Sequence, residues 1–497
     1  MTADIPTTEK IFPMGSVPKI TGVCHHYGNS ITICDVGPGT EQGKAPEFKP
    51  EPAKLDDAGR IGMAAFNLRH SEAFRAAKEN RPYDNVGWDK GADDGLLPPN
   101  PPEDIKQQLV KASGLAGAAP AAGATPTSQR LTGKVAVGVV IVSGPGNLAF
   151  SAAEITKVHA EVQHGLSWLG CQAGVAAPVQ FFHDNQEVTL TLPDDPNGND
   201  KEGYWRNPAM QKLGYPNVNA YAEHLRTTLN TDWTYVAFFM KYSQTHFAYA
   251  YMGGAYLCMQ YANDGWGPDN IDRVFAHETG HIFNAPDEYS GANCNCTSTY
   301  GIYGVKNLNC ETCAPGGSVD CIMKGNSWAM CAYTPWHLGY LDVSNVNIAS
   351  VQFSNVYLRM DGNGVTSPTG PGGGTVNCQY TAGPWEKFNI HLNSDGVFSL
   401  ESVQFPDVYL RMDGNGVTSP TGPGGGTVNC QYTAGPWEKY RLAPQSSGKV
   451  AIASVQFPNV YLRMDGSGVT SPTGPGGGTV NCQYGVGPWE QFVISPA

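Results

Sequence analysis

Residues 350–386 read SVQFSNVYLRMDGNGVTSPTGPGGGTVNCQYTAGPWE, and the same pattern returns twice more before the C-terminus. Ser350, Ser402 and Ser454 each open the string SVQF, so the repeat is 52 residues long (402 − 350 = 454 − 402 = 52). Short apolar stretches separated by Gly-rich turns indicate β-strands. Three units without distinct terminal caps are expected to close on themselves as an all-β trefoil over residues 346–497; an open solenoid is the alternative.

The repeats are unusually alike, because residues 356–387 and 408–439 are identical, loops included. Core packing does not demand identical loops, so either the duplication is recent or three equivalent surface sites have been retained. The pattern YLRMDG…GPWE resembles that of fascin-like and lectin-like trefoils. If three equivalent sites are retained, they give avidity, and binding of a glycan or glycoprotein is their expected use. The conserved spacing predicts a core position for Trp385, Trp437 and Trp489. The candidate ligand-binding residues are Asp361, Asn363, Asp413, Asn415 and Asp465.

Upstream of the repeats, residues 274–289 read VFAHETGHIFNAPDEY. His277 and His281 stand one turn apart on one helix face, a spacing that lets both imidazoles reach one Zn²⁺ ion. Glu278, next to the first histidine, is placed to act as general base. The HExxH pattern alone would occur by chance in about one chain in a hundred of this length, so its context has to decide.

The context offers a third metal ligand, Asp287, six residues beyond His281. A carboxylate at that distance returns to the metal only if the helix ends and the chain turns sharply. Asn284 tolerates the left-handed conformation that such a turn needs, and Pro286 prevents the helix from continuing. The end of the helix and the third ligand are therefore predicted together.

This segment resembles the metzincin zinc motif HExxHxxGxxH/D in its aspartate form, and residues 254–289 are similar to the snapalysin type of neutral protease. The resemblance implies a zinc endopeptidase of protein or peptide substrates, with His277, His281 and Asp287 as ligands and Glu278 as base. It also implies a Met-turn, for which residues 321–325 (CIMKG) supply Met323, and a substrate-pairing edge strand within residues 250–261. Departures are Asn284 at the usual glycine position and a Cys-rich insertion before Met323.

Three alternatives apply to this motif. A gluzincin arrangement would take its third ligand from a later glutamate, and only Glu288 and Glu311 lie between His281 and the repeats. Glu288 also competes with Asp287 because it follows it directly. The third alternative is a helix with two incidental histidines, although a His–Glu pair on an apolar helix is costly to bury without a metal. Tyr289 is a candidate oxyanion donor, with packing in a turn as its other reading.

The cysteines indicate an oxidising environment. A dense cluster favours a disulfide framework, with a structural zinc site of four thiolates as the rival interpretation. Cys24 and Cys34 are close enough in sequence for a further bridge; the alternative for Cys24 is a thiolate that occupies the open zinc position. The six disulfide candidates of the cluster are Cys294, Cys296, Cys310, Cys313, Cys321 and Cys331.

The remainder of the chain predicts a multidomain protein. Residues 1–111 are expected to be an N-terminal extension or removable pro-segment with one helix over 64–78, and residues 112–130 an Ala/Gly/Pro-rich linker. Residues 131–345 alternate strand and helix patterns in the order β-α-β-α-β-β-α, typical of a mixed α/β (α+β) domain. Within this domain, an oxygen-rich loop offers a Ca²⁺ site or a solvated turn, through Asp194, Asp195, Asn197, Asn199 and Asp200.

Composition excludes several functions. The net charge of −13 without a basic stripe disfavours nucleic-acid binding, and the longest apolar run, residues 135–142, is far too short to span a membrane. The N-terminus shows no secretory signal, yet the cysteine cluster favours an extracellular location. Two hypotheses remain: a zinc endopeptidase targeted by a trefoil module, or a lectin-like or protein-binding trefoil protein with an inactive or latent protease domain.

Overall fold

The computed structural model describes residues 9–14, 22–36, 48–89, 127–173, 179–198, 200–301, 305–314, 317–331, 333–340, 345–392, 397–445 and 449–496. The chain divides into two compact units. The first unit consists of Met1–Cys296, Asn309–Met330 and Leu338–Tyr340. The second unit consists of Thr297–Leu308, Cys331–His337 and Leu341–Ala497. This division differs from the predicted boundary at 345/346, since two upstream segments belong with the repeats.

One mixed sheet of eight strands organises the first unit. The strands are β1 (Glu9–Pro13), β2 (Cys24–Tyr27), β3 (Ile31–Asp35), β4 (Gly133–Ser143), β5 (Val179–Thr189), β6 (Trp233–Met240), β7 (Ala248–Ala250) and β8 (Tyr256–Gln260). Their order across the sheet is β1-β3-β2-β5-β4-β6-β8-β7. Five neighbouring strands of the sheet run parallel, in the order β2, β5, β4, β6 and β8. The pairs β1–β3, β2–β3 and β7–β8 are antiparallel.

Helices cover both faces of this sheet, which explains the continuous β-branched run of β4. The helices are α1 (Asp57–Arg69), α2 (Glu72–Glu79), α3 (Ala152–Ala173), α4 (Lys201–Lys212), α5 (Val218–Thr228) and α6 (Ile271–Ile282). Helices α4 and α5 share a core with alternate residues of β6, including Val236 and Phe238. On the opposite face, Phe239 packs against Phe275 of α6, with ring centroids 5.9 Å apart.

Two sequence predictions in this unit differ from the structure. The helix predicted over 64–78 is two helices, α1 and α2. The edge strand predicted within residues 250–261 is not β8, because the short strand β7 pairs outside it and forms the edge. At the start of α3 there is a capping box, in which Ser151 N donates to Glu154 and Glu154 N donates to Ser151 Oγ.

The N-terminal region contributes to this sheet. Strands β1 to β3 fall within the predicted extension, yet β2 pairs in parallel with β5 over four residues. A buried hydrogen-bond chain adds to this contact: Glu9 pairs with Arg69, Ser167 Oγ donates to Glu9 Oε1 at 3.0 Å, and Ser167 Oγ contacts His25 Nε2 at 3.0 Å. The structure therefore differs from a domain beginning at residue 131, because three of the eight strands precede it.

The second unit is a β-trefoil with four strands in each repeat. The strands are β11 (Val346–Ser350), β12 (Val356–Asp361), β13 (Thr375–Tyr380), β14 (Phe388–Leu392), β15 (Phe398–Ser402), β16 (Val408–Asp413), β17 (Thr427–Tyr432), β18 (Tyr440–Pro444), β19 (Val450–Ser454), β20 (Val460–Asp465), β21 (Thr479–Tyr484) and β22 (Phe492–Pro496). The first and fourth strands of the repeats pair in a closed ring, and the middle two form a hairpin in each repeat. The predicted trefoil is thus what the chain forms.

The trefoil core extends beyond the repeats. Leu358, Leu410 and Leu462 occupy equivalent positions and are fully buried. Val305 and Trp336 belong to the same apolar core. They come from the upstream segments of this unit, which also contain the two-residue strands β9 (Thr299–Tyr300) and β10 (Val305–Lys306) and the short helix α7 (Thr334–His337).

Three disulfides are formed among the described residues. Cys24–Cys34 joins directly opposed residues of β2 and β3, as predicted. The disulfides Cys294–Cys310 and Cys296–Cys313 cross-link the insertion that follows the HExxH helix. Disulfide bonding of Cys321 and Cys331 is a wrong prediction, since neither is disulfide-bonded. Among the described helices, none combines the length and apolar composition that a membrane crossing requires.

Candidate metal centre

Helix α6 carries the HExxH motif and is buried along its whole length. His277, Glu278 and His281 are each fully shielded from solvent, and Asp287 retains 8% exposure. A buried row of polar groups on one helix is expensive unless each group has a partner. The polar face of α6 therefore points to chemistry rather than to packing.

Three of these side chains converge on one point. His277 Nε2 and His281 Nε2 lie 3.1 Å apart, and Asp287 Oδ1 lies 3.3 Å from the first and 3.1 Å from the second. Around a tetrahedral zinc ion with bonds of about 2.1 Å, neighbouring ligand atoms stand about 3.4 Å apart. Two imidazole nitrogens and a carboxylate oxygen are also the donor types that zinc prefers, so these residues fit the ion.

The outer nitrogens of both histidines are held by backbone carbonyls. His277 Nδ1 lies 3.0 Å from Ile322 O, and His281 Nδ1 lies 2.7 Å from Ala285 O. A carbonyl oxygen only accepts hydrogen bonds, so each Nδ1 carries the proton. Each Nε2 therefore presents its lone pair to the shared point, the tautomer that metal binding needs.

The turn after α6 brings Asp287 back to the histidines. Asn284 adopts the left-handed conformation, with φ of 72°, and Ala285 N donates to Gly280 O at 2.9 Å, which ends the helix. The reversal occurs at the asparagine that stands where the metzincin pattern has glycine. An L-residue in this conformation is tolerated best when it is asparagine or aspartate.

Met323 lies directly beneath this helix. Its side chain is fully buried, and Glu288 N donates to Met323 O at 2.9 Å. A Cβ placed on Gly280 would stand 2.7 Å from Met323 Sδ. A side chain at position 280 would therefore displace the end of the Met323 side chain, a contact that the sequence motif does not reveal.

The competing ligands are not brought to the histidine pair. Glu288 Oε2 accepts a hydrogen bond from Asn309 Nδ2 at 2.7 Å, and Glu311 Oε2 accepts from Ser290 N at 3.0 Å. Both carboxylates are therefore committed to the disulfide-stapled insertion. Tyr289 is fully buried, with its ring centroid 6.4 Å from that of His277.

A buried ionic cluster fixes the start of α6. Asp272 accepts hydrogen bonds from Arg81 (2.9 Å) and His164 (2.7 Å), and Asp272 N donates to Glu161 Oε2 at 3.1 Å. Burial acts to raise the pKa of Asp272, but the charges of Arg81 and Lys78 outweigh it and hold that pKa well below its usual value. For Glu161, burial dominates and raises the pKa. Carboxylates at a helix N-terminus also complement its dipole.

A polar pocket lies beside Trp385 in the trefoil. Arg359 stacks on Trp385, with the guanidinium carbon 4.1 Å from the ring centroid, and its nitrogens lie 3.7 Å from Glu386 and 3.8 Å from Asp361. The pocket has a volume of about 470 Å³ and includes Pro475 from the third repeat. Equivalent Arg–Trp pairs stand at 4.3 and 4.2 Å in the other repeats: Arg411–Trp437 and Arg463–Trp489.

Of the ligand-binding residues predicted for the trefoil, not all line the pocket beside Trp385. Asp361 lines the pocket, whereas Asn363 does not and instead donates its backbone N–H to Asp361 Oδ1. Asp413 and Asp465 accept backbone hydrogen bonds in the same way, from Asn415 and Ser467. The core prediction for the tryptophans is wrong: Trp385, Trp437 and Trp489 are half-buried, each with one face covered by arginine.

Two carboxylates of the predicted Ca²⁺ loop accept hydrogen bonds from other parts of the protein. Asp194 accepts from Ser243 N (2.8 Å) and Ser243 Oγ (2.6 Å), and Asp200 caps α4 by accepting from Gly203 N at 2.8 Å. Asn199 lies outside the described residues. Calcium binding here stays a prediction.

Comparison with solved structures returns trefoil proteins. The designed threefold-symmetric protein ThreeFoil is 16% identical over 31% of this chain and 98% of its own, with a TM-score of 0.23. SeviL, solved with the asialo-GM1 saccharide, is 9% identical over 31% and 98%, with a TM-score of 0.22. The Polyporus squamosus lectin, solved with a human-type influenza-binding epitope, is 15% identical over 31% and 49%, with a TM-score of 0.23. No protein-family model and no curated protein matches the sequence.

Proposed function

We propose that the first unit is a zinc-dependent endopeptidase of the metzincin type. The observation that carries the proposal is the convergence of His277 Nε2, His281 Nε2 and Asp287 Oδ1 within 3.3 Å of one another, with both Nδ1 atoms bonded to carbonyls. These three residues would hold the ion. When bound, zinc supplies Lewis-acid polarisation of the scissile carbonyl.

Glu278 is the proposed general base. It neighbours His277 on α6, is fully buried, and its carboxylate takes a proton from the attacking water and delivers it to the leaving amine. Tyr289, packed near His277, is the proposed donor to the developing oxyanion. Strand β7 is the proposed docking edge for an extended peptide, because it is the outermost strand on the side of the sheet that contacts α6.

The test compares the parent protein with Glu278→Gln and with Glu187→Gln, which alters an exposed glutamate of β5. Metal content is measured together with casein hydrolysis. We expect one zinc per chain in all three proteins, with hydrolysis lost only in Glu278→Gln. A parent that binds no zinc, or a Glu278→Gln protein that hydrolyses casein at the parent rate, would overturn the proposal.

A second candidate function is glycan binding by the trefoil. It is supported by the pocket at Arg359, Asp361 and Glu386, where carboxylate acceptors and guanidinium donors converge beside Trp385. Sugar hydroxyls match such mixed donors and acceptors. The test is binding of the intact protein to a glycan array, against a variant with Asp361→Ala, Asp413→Ala and Asp465→Ala. Equal array signals for both proteins would contradict this role.

We further propose an extracellular location. Three disulfides among the described residues are typical of a protein in an oxidising environment. Alkylation of the protein isolated from its native source, carried out under denaturing conditions so that buried thiols also react, tests this: six of the thirteen cysteines should resist alkylation until a reductant is added.

A further inference from the structure

The segment at residues 83–89 runs alongside the turn that carries Met323. Asn85 N donates to Asn326 O at 2.8 Å, Asn326 N donates to Val86 O at 2.8 Å, and Trp88 N donates to Lys324 O at 3.2 Å. Gly87 and Gly325 form an antiparallel bridge between the two segments. Adding a Cβ to Gly325 would place it 3.0 Å from Val86 O, so the two backbones approach closely.

Trp88 extends this contact to the metal centre. Its side chain is fully buried, and its indole Nε1 donates to Ile322 O at 2.8 Å. The same oxygen accepts the hydrogen bond from His277 Nδ1 at 3.0 Å. The Trp88 ring also packs against His277, with centroids 5.3 Å apart, and against Trp266 at 5.2 Å.

One carbonyl oxygen thus accepts two hydrogen bonds from two parts of the chain. A carbonyl oxygen has two lone pairs, so both donors are accommodated and together fix the orientation of the carbonyl. The acceptor of a ligand histidine sets the tautomer and the ring orientation of that ligand. Anything that holds Ile322 O in place therefore acts on His277, although it does not touch the metal.

We propose that Trp88 is a positioning residue for His277, and that residues 83–89 are an integral part of the metal centre. The inference rests on the proposed metal binding at His277. Trp88 acts on His277 through the Ile322 carbonyl and through contact between the two rings. A segment before residue 90 thereby affects how tightly the ion is held.

The matched pair of variants is Trp88→Phe and Trp205→Phe. Both tryptophans are fully buried in the first unit, but Trp205 lies in the core between α4 and the sheet. Each protein is stripped of metal. The Zn²⁺ dissociation constant is then measured by competition with a chromophoric chelator, and the visible spectrum of the Co²⁺ form is recorded, with the thermal midpoint of the metal-free protein as a stability control.

Trp88→Phe is expected to raise the Zn²⁺ dissociation constant about tenfold and to shift the Co²⁺ absorption bands. Trp205→Phe is expected to lower the thermal midpoint without changing either metal readout. If Trp88→Phe does not fold, 3-benzothienylalanine at position 88 keeps the ring shape and removes only the N–H donor. A Trp88 variant with the parent dissociation constant and spectrum would overturn the inference while leaving the peptidase proposal intact; a parent without metal binding would overturn both.

Discussion

Met323 Sδ lies 2.7 Å from the point where a Cβ on Gly280 would stand. The methionine therefore touches the backbone of the helix that carries both histidines, at the residue just before His281. This apolar contact adds to the hydrogen bond from His277 Nδ1 to Ile322 O, which also joins the turn at residues 321–325 to the helix. It makes the position of His281 dependent on the volume of one buried side chain.

The substitution Gly280→Ala tests this contact. In an ordinary helix interior, alanine is more favourable than glycine by up to about 1 kcal/mol. Here the new methyl group overlaps Met323, and overpacking of this kind costs about 1–3 kcal/mol. We expect a net loss of unfolding free energy together with weaker zinc binding, both measured on the same protein. Met323→Leu, which nearly conserves volume, should cost less than about 1.5 kcal/mol; a stabilised Gly280→Ala protein would contradict the contact.

The choice between adjacent carboxylates is tested by Asp287→Asn and Glu288→Gln. Asp287 faces both histidines, so its amide variant should weaken Zn²⁺ binding at least a hundredfold, because a neutral amide oxygen is a far poorer zinc ligand than a carboxylate. Glu288 accepts from Asn309, so its variant should bind zinc within a few-fold of the parent. The measurement is the Zn²⁺ dissociation constant of each variant. Weaker binding by Glu288→Gln than by Asp287→Asn would make Glu288, not Asp287, the third ligand.

Buried histidines predict acid sensitivity of the first unit. Burial lowers the pKa of His159 to about 4, from an ordinary value of 6.5. The unfolded chain therefore binds one more proton than the native state between these values, so stability is complete above pH 6.5 and falls as pH drops toward 4. Burial lowers the pKa of His26 to about 4 as well, which adds to the effect.

The matched variants are His159→Gln and His224→Gln, the second at an exposed position of α5. In metal-free protein, His159→Gln should reduce the slope of unfolding free energy against pH between 6.5 and 4 by up to about 1.4 kcal/mol per pH unit. His224→Gln should leave the slope near that of the parent. Urea titrations at several pH values give these slopes, and equal slopes for parent and His159→Gln would refute the assignment.

The bridge between β2 and β3 predicts a stability cost on its removal. Cys24 and Cys34 close a short loop, with a sequence separation of 10. Loop-closure entropy for this length corresponds to about 2.7 kcal/mol. The double variant Cys24→Ser/Cys34→Ser should lose about this much unfolding free energy, with the loss absent when both proteins are compared under reducing conditions. An unchanged midpoint in oxidising buffer would show that the bridge does not form.

The sequence predicted the trefoil and the convergence of His277, His281 and Asp287 because both depend on local spacing. A 52-residue repeat and an i, i+4 histidine pair need no knowledge of distant partners. Strand β7 was missed because three residues, Ala248–Ala250, carry too little periodicity. The place of β1 to β3 was missed for a different reason: β2 gains its partner β5 more than 150 residues later in the chain, and no local pattern encodes that pairing.

Trp88 illustrates the same limit at the metal centre. Its indole meets Ile322 O across a sequence separation of 234, so its role exists only in the folded chain. The core position predicted for Trp385, Trp437 and Trp489 is wrong because a tryptophan in a repeat is equally compatible with a core position and with a place beside a pocket. Only the stacking of Arg359 on Trp385 shows that the ring borders a pocket.

The parallel pairing of β2 with β5 has a consequence for a chain that is cut between residues 89 and 127. The described residues between 9 and 89 contact the rest of the first unit through the β2–β5 ladder, the Arg81–Asp272 pair and the hydrogen bond from Trp88 to Ile322, none of which depends on chain continuity between residues 89 and 127. A single cut in that interval would give two bands on a denaturing gel but one particle in native mass measurement. Nicking and release of the N-terminal fragment are thus separate events, and a nicked two-chain protein would keep His277, His281 and Asp287 together.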